Sequence, residues 1–376
     1  MININFVGDI KIDNVKALTI SNGLKQLFRQ SDLNVLNFEA PLMKAGSKAI
    51  TKSGPCICQD QGVPRYFVSN SFGLFNLANN HSSDYGVESL MFTKGVIEQE
   101  GAAAIGVGDR QCAYDIYKKN IKGKVFGFIA GTQHEFGTLD DTNQHLAGAA
   151  WLFHPRIIQN VIEARKTCDY VIVLSHAGLE NQYYPLPEVR SFCRMLIDAG
   201  ADCVIGSHPH TVQSWEYYKD KPIVYSLGNF AFDASWGNAK YWNYGAICSL
   251  SFEEGNVNCN IIPTHYKPGE SIEEVKNEDN FISHLTHINE VFKDEGAYQE
   301  AIDESVSQLR LSYRYLFERS GYFKYNPVLF FRMGLFGIIR KLLGKSPHTY
   351  SDSHILNNLQ CEVHRWAICR LFQKNF

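Results

Sequence analysis

This 376-residue chain lacks most of the features that assign a protein to a class at sight. It has no pair of CxxC motifs; its ten cysteines are scattered, and only Cys56 and Cys58 stand close together. That argues against a structural zinc knuckle. No basic leader followed by an apolar stretch is seen. Met1–Val7 alternates and runs into a turn at Gly8, which reads as a strand, so no secretory signal is expected. The expectation is a cytoplasmic chain with reduced thiols, packed as small hydrophobes rather than used as catalysts. There is no excess of positive charge: 36 Lys and Arg against 39 Asp and Glu leave a net charge of -3, and nothing global points to nucleic acid as partner. Nor is there an uninterrupted apolar run of the roughly 17–25 residues that a bilayer span requires. Internal repeats and low-complexity tracts are absent.

What is present is ordinary in bulk. A hydrophobic fraction of 45% and a charged fraction of 20% are those of a globular protein, and 19 Tyr with 24 Phe suit a large core. The length fits one large domain with an appendage, or two domains. Short apolar runs alternate with helical stretches up to about residue 265. Strands are predicted at Ile2–Val7, Val35–Phe38, Gly73–Ala78, Lys124–Ala130, Tyr170–Ser175, Asp202–Ile205, Pro222–Leu227 and Ala246–Phe252. Helices are predicted at Gly86–Glu100, Arg156–Cys168 and Leu186–Ala199. The alternation argues for an α/β class. A hairpin about Lys219-Asp220-Lys221 makes the sheet mixed rather than wholly parallel.

The composition shifts near Pro268, which divides the chain into residues 1–267 and a helical C-terminal region, 268–376. From Ser271 to Arg319 the pattern is charged and helical. The segment 324–345 holds Lys324, Arg332, Arg340, Lys341 and Lys345, no acid, and the apolar run Pro327–Leu343. The internal charges weigh against spanning, at roughly 2.5–3.5 kcal/mol each at the bilayer centre. Two readings stand: a helix packed on the core, or one lying in a membrane interface against anionic lipid.

The chemistry is carried by five polar clusters, each following a strand-like run. They are Gly8-Asp9, Asn37-Phe38-Glu39, Asn79-Asn80-His81 with Asp84, His176 with Glu180, and His208-Pro209-His210. Divalent metals need several Asp, Glu, His or Asn ligands converging on one point. In α/β folds that point lies beyond the carboxyl ends of strands. Any one cluster has a plain structural reading, as a turn, a capping loop or a hydrogen-bonded histidine. All five, in this order, point to a site.

The order Gly-Asp, Asn-x-Glu, Asn-Asn-His, His-x-Gly-x-Glu, His-Pro-His resembles the CapA family of bacterial capsule and poly-γ-glutamate synthesis proteins. The runs Leu77–His81, Gly200–Asp202, Gly206–Gln213 and Val224–Phe230 carry the resemblance, which covers about residues 3–265. It implies a metallophosphatase-type four-layer sandwich: two mixed β-sheets flanked by helices. It also implies two divalent cations, with manganese, iron or zinc the expected metals. Asp9 would ligate the first, Glu39 would bridge both, Asn80, His176 and His208 would complete the second, and His210 would return to the first. His81 would act beside the substrate as proton donor or oxyanion stabiliser. Many related phosphoesterases carry a histidine where this chain has Lys11, so the first metal has fewer protein ligands. Lys11 is then either solvated or a contact for an anionic group.

Glu180 is a candidate general base or acceptor behind His176, or else a loop ion pair. Asp84 is placed to cap the helix near Tyr85 or to hold His81. Asn229 is expected to shape the pocket floor; for His134 a structural place is expected ahead of a contact with substrate. His284 and His287 look solvated. The leading functional reading is a metal-dependent hydrolase of a phosphoester or related bond in a capsule, exopolysaccharide or poly-γ-glutamate pathway. The alternatives are a peptide-modifying enzyme, by epimerase or amide-bond chemistry on the same metals, and a non-catalytic partner in polymer synthesis. The substrate would be a small molecule, a peptide or a surface polymer, and the location cytoplasmic or peripheral to the inner face of the membrane.

Overall fold

A computed structural model describes residues 1–142, 145–234, 237, 239–276, 279–309 and 352–373. The basic apolar segment 324–345 lies outside the described residues. Among those described, no helix is long and apolar enough to cross a membrane.

Two large sheets form the centre. The nine-stranded sheet runs Thr19–Ile20, Ser271–Glu274, Asn256–Lys267, Tyr244–Glu253, Ile2–Lys11, Leu33–Phe38, Phe72–Asn76, Ala103–Ile105, with Asn229–Phe232 paired to the end of Ile2–Lys11. The six-stranded sheet runs Trp215–Tyr218, Lys221–Val224, Cys203–Ser207, Tyr170–His176, Lys124–Thr132, Tyr117–Ile121. Both are mixed. A three-stranded sheet, Val107–Asp109, Ala147–Ala150 and Thr138–Leu139, lies apart.

Three apolar clusters separate four layers. Between the sheets, Phe6, Val35 and Leu74 meet Phe126, Ile172 and Ile205. Outside the first sheet, helices Asn22–Gln30, Val63–Ser69 and Gly86–Gln99 bury Phe28, Phe67 and Leu90 against Leu36, Phe38 and Phe75. Outside the second, helices Pro155–Thr167 and Pro187–Asp198 bury Ile157, Val161 and Leu196 against Val171, Val173 and Val204. This is the four-layer sandwich of two mixed sheets flanked by helices that the resemblance implies.

The central strands are parallel and covered on both faces, so they read in sequence as unbroken apolar runs. Strands missed by that reading include the short buried ones Asn229–Phe232 and Ala147–Ala150 and two longer peripheral ones. Tyr117–Ile121 alternates half-buried and exposed residues up to buried Ile121, and in Asn256–Lys267 only Val257, Thr264 and Tyr266 are buried. The hairpin about residues 219 and 220 is present, with Lys219 and Asp220 both at positive φ, 51° and 60°. The charged stretch read as helical from Ser271 opens instead on the strand Ser271–Glu274, paired to Asn256–Lys267. Helical structure follows, in Asn280–Lys293 and Glu295–Gln308. The terminal helices, Asp352–Gln360 and Glu362–Gln373, join the outer layer of the second sheet, where Cys361, Val363 and Ala367 are fully buried.

Candidate metal centre

Parallel strands place their carboxyl ends along one edge of each sheet, and the two edges face a common point. Asp9 lies near the carboxyl end of the strand Ile2–Lys11, Glu39 follows Leu33–Phe38, and Asn80 lies in the loop after Phe72–Asn76. From the other sheet, His176 ends Tyr170–His176, and His208 and His210 follow Cys203–Ser207. All six are buried. Two sets of ligand atoms, Asp9–Glu39–His210 and Glu39–His176–His208, each lie within 4.8 Å of one another, and Glu39 belongs to both.

The contacts orient each donor. Asp9 Oδ1 accepts from Asn37 Nδ2 at 2.8 Å, and Asn37 Oδ1 accepts from Asn76 Nδ2 at 2.9 Å. Asp9 Oδ2 accepts from the His208 backbone N–H at 3.2 Å and lies 3.4 Å from His210 Nδ1. Asn229 Nδ2 donates to the Trp242 carbonyl at 2.9 Å, which turns its Oδ1 to His210 Nδ1, also at 2.9 Å. That leaves His210 Nε2 directed at Glu39 Oε1, 3.5 Å away. Asn229 is thus an orienting partner of His210. In the second set, His176 Nε2 stands 3.0 Å from Asn80 Oδ1, 3.2 Å from His208 Nδ1 and 4.0 Å from Glu39 Oε1. The His176 Nδ1 has Ser207 Oγ at 3.3 Å.

Glu39 is the anomaly. Its side chain is wholly buried, and neither carboxylate oxygen has a hydrogen-bond partner. A buried carboxylate left in that condition is costly. Burial, then the charge of Asp9, lift the Glu39 carboxyl well above its ordinary range, opposed in part by His210. His210 moves the other way. Burial disfavours its charge, but Glu39 and Asp9 outweigh burial and raise it to about 10. Burial and the neighbouring imidazoles hold His176 well below its usual value. The centre is short of positive charge, and its donors are oxygen and imidazole nitrogen, which fits divalent metal ions bridged by Glu39.

Around this core the other predicted residues take definite places. His81 Nδ1 lies 2.7 Å from Asp84 Oδ2. Asp84 also receives the Ile57 N–H at 2.7 Å and pairs with Lys52. It holds His81 rather than capping the next helix, whose N-cap, Tyr85, makes no side-chain cap. Burial, then Lys52, lower the His81 pKa against the pull of Asp84. Glu180 is exposed at the rim, and its charge acts on Glu39, His81, His208 and His210.

Several expectations are corrected. Lys11 is neither solvated nor turned to the metal centre: its buried amine donates to Asp13 Oδ1 at 2.6 Å and to the Asp233 carbonyl at 2.7 Å. His134 pairs with Asp140 at 2.6 Å, a structural place. His284 is not solvated; it stacks on Tyr241 at 4.6 Å with Tyr183 edge-on at 4.4 Å, and burial pushes it down to about 4. His287 is exposed, as expected. Sequence reasoning named Asn37 in a cluster without giving it a role, and missed Asn76, Lys52 and Gln133, whose Nε2 lies 2.9 Å from His208 Nε2. The two asparagines were visible as polar residues ending apolar strands. Lys52 sits in a polar loop segment, and no pattern marks it.

A cavity of about 660 Å³ adjoins the first ligand set, with Lys11, Phe232, Lys240, Trp242 and Tyr244 in its wall. The His210 ring contacts Phe232 at 4.7 Å and Trp242 at 5.0 Å, so the cavity and the centre share a boundary.

With this geometry in hand, comparison with known proteins adds the family. The model of the bacterial capsule synthesis protein PGA_cap matches residues 3–234. The PGA biosynthesis protein CapA of Bacillus subtilis (strain 168) is 31% identical over 250 residues, 63% of this chain and 64% of that protein. The capsule biosynthesis protein CapA of Bacillus anthracis is 29% identical over 262 residues, 64% of this chain and 62% of that protein. The chain therefore spans less than two thirds of the length of these relatives. Among solved structures, it is similar to a hypothetical protein from Thermus thermophilus, at a TM-score of 0.46 and 15% identity, covering 73% of this chain and 100% of that one.

Proposed function

Because the chain belongs to the bacterial capsule synthesis protein family PGA_cap, we propose that it is a metal-dependent hydrolase of a capsule or poly-γ-glutamate pathway, acting on a phosphoester or related bond. The observation that carries the reading is Glu39, a fully buried carboxylate with both oxygens unpartnered, shared by two ligand sets. Asp9, Glu39 and His210 would hold one divalent cation; Glu39, Asn80, His176 and His208 would hold the other. When bound, such a pair supplies Lewis acidity at both the attacking and the leaving oxygen of a displacement.

The chain's own residues do the rest. Asn37 and the His208 N–H fix the two oxygens of Asp9, and Asn229 fixes the ring of His210. His81 Nδ1 lies between Asp84 Oδ2 at 2.7 Å and Lys52 Nζ at 3.0 Å; with a proton on Nδ1 directed to Asp84, Nε2 would be left to exchange a proton with the substrate. Lys52 neutralises Asp84, so the dyad is held without leaving a bare buried charge. The cavity beside His210 gives room for the rest of the substrate, with aromatic faces and two amines in its wall.

The test combines metal analysis with turnover. Reconstitution with manganese, iron or zinc should give between one and two ions per chain at this centre, and a panel of phosphomonoesters and phosphodiesters should reveal hydrolysis. His81→Ala should keep the metal and lose about 10²–10⁴-fold in rate. A chain that takes up no metal under any of these conditions would sink the reading.

A further inference from the structure

A separate group of metal-ligating side chains converges at the edge of this centre. Glu135, Cys361 and His364 place a carboxylate oxygen, a thiol sulfur and an imidazole nitrogen within 4.8 Å of one another. Metal–ligand bonds of about 2.0–2.3 Å put tetrahedral ligand atoms roughly 3.3–3.8 Å apart, so a small inward adjustment closes the set on an ion. The three residues come from distant parts of the chain. Glu135 follows the strand Lys124–Thr132, while Cys361 and His364 stand at the start of the helix Glu362–Gln373.

The surroundings are built rather than incidental. Glu135 Oε1 accepts from Gln133 Nε2 at 2.6 Å, and Oε2 from Asn80 Nδ2 at 3.4 Å. Cys361 is fully buried. Glu362 is also buried; one of its oxygens accepts the His134 N–H at 3.2 Å, and the other has no partner. Next to Cys361 in the chain, a buried carboxylate oxygen of Glu362 is thus left unmatched by protein donors, and Glu135 Oε1 lies 4.0 Å from His208 Nε2 at the edge of the dinuclear centre.

We propose that Glu135, Cys361 and His364 bind a further transition-metal ion of the zinc class, beside the dinuclear centre. A donor set of one sulfur, one nitrogen and one oxygen selects zinc and its neighbours over magnesium or calcium. On binding, the Cys361 S–H bond breaks, a sulfur–metal bond forms, and the proton leaves to solvent. With three protein ligands the fourth position is open. The ion ties the terminal helix to the loop that carries Glu135, and through Asn80 to the second ligand set. The proposal does not depend on hydrolysis at the dinuclear centre.

Cobalt(II) titration of the full chain tests it, because this site offers a thiolate and the dinuclear centre offers none. The wild type should develop a sulfur-to-cobalt charge-transfer band in the near ultraviolet as well as visible ligand-field absorption. Cys361→Ser should lose the band and keep the visible absorption. His364→Ala, at a partly exposed position, should need at least about tenfold more cobalt to reach the same band, since even outer-shell partners cost about 10–100-fold in metal affinity. Visible absorption without any charge-transfer band in the wild type overturns this proposal and leaves the dinuclear reading intact. A band that survives Cys361→Ser, or is unmoved in His364→Ala, places the thiolate elsewhere and also overturns it. A band without the visible absorption of a second class of site tells against the dinuclear reading alone.

Discussion

At the scale of residues, the centre is organised by one unsatisfied group. Glu39 has no hydrogen-bond partner for either oxygen, and its ion-pair neighbour at 3.5 Å is His210, whose proton Glu39 and Asp9 hold in place. A ligand that binds only the folded state stabilises it by mass action. Metal addition should therefore raise the melting temperature of the stripped wild type, and raise that of Glu39→Gln much less. Occupancy of both ions should fall in that variant, since the glutamine amide is a poor bridge. Equal occupancy in the two proteins by elemental analysis would remove Glu39 from its bridging place. His208 and His210 add a second residue-scale feature. Both are non-glycine residues at positive φ, 99° and 58°. Such conformations cost of order 1–3 kcal/mol each and persist where the surroundings over-determine them. Here one result is visible: the His208 N–H reaches Asp9 Oδ2 at 3.2 Å.

At the scale of elements, the centre depends on how closely one turn threads between the two sheets. The turn Tyr225–Asn229 is pinned from both sides: Asp9 N–H donates to the Gly228 carbonyl at 2.9 Å, and Leu227 N–H to the Gly206 carbonyl at 3.0 Å. A Cβ at Gly8 would lie 1.9 Å from Gly228 O, and one at Gly206 would lie 1.9 Å from Tyr225 O. The glycines in Gly-Asp and Gly-Ser-His are there because backbone must pass against backbone. Gly206→Ala should destabilise the fold by about 1–3 kcal/mol or more, as overpacking does. It should also weaken metal binding, because the displaced turn carries Asn229, which orients His210. Unchanged melting together with an unchanged metal titration would show that the turn has slack the distances deny.

At the scale of the whole molecule, the terminal helices are part of the second sheet's outer layer. Phe153 meets Trp366 edge-on at 5.2 Å, and Arg370 Nε pairs with Asp303 at 3.2 Å. Val363→Asp, at a fully buried position, should cost more than about 2 kcal/mol by placing a charge in that layer. Leu359→Asp, at a position 52% exposed, should cost little. Similar melting of the two variants would mean the terminal helix does not pack there in solution. The same layer carries a pH signature. Burial opposes ionisation of Glu216, but hydrogen bonds from Arg194, Tyr225 and Arg190 outweigh it and hold its carboxyl below the ordinary range. A depressed folded-state pKa stabilises above the unfolded value, about 4.3 for glutamate, and the benefit is lost as pH falls through the folded value. Wild type should thus melt above Glu216→Gln at neutral pH, and the gap should close on acidification below about pH 4.3. A gap that stays constant with pH would exclude the ionised pairings as its source.

The chain alone determined the α/β class, the apolar runs of the central strands and the polar clusters at their ends; the six residues that meet at the centre were picked out of those clusters by the family resemblance. Those features are local: an unbroken apolar run marks a strand buried on both faces, and polar residues just past its end mark the site. The order of the five clusters carried the rest of that reading. What only the tertiary structure decided is pairing across distance. Lys11 turned to Asp13 and the Asp233 carbonyl, Asp84 turned to His81 and Lys52, and Asn229 to His210. Ser271–Glu274 became a strand because Asn256–Lys267 presented an edge to it, though its own residues are mostly polar. Cys361 and His364 reached Glu135 across more than two hundred residues. No periodicity in the sequence encodes such meetings, because they depend on which surfaces the packed sheets bring together.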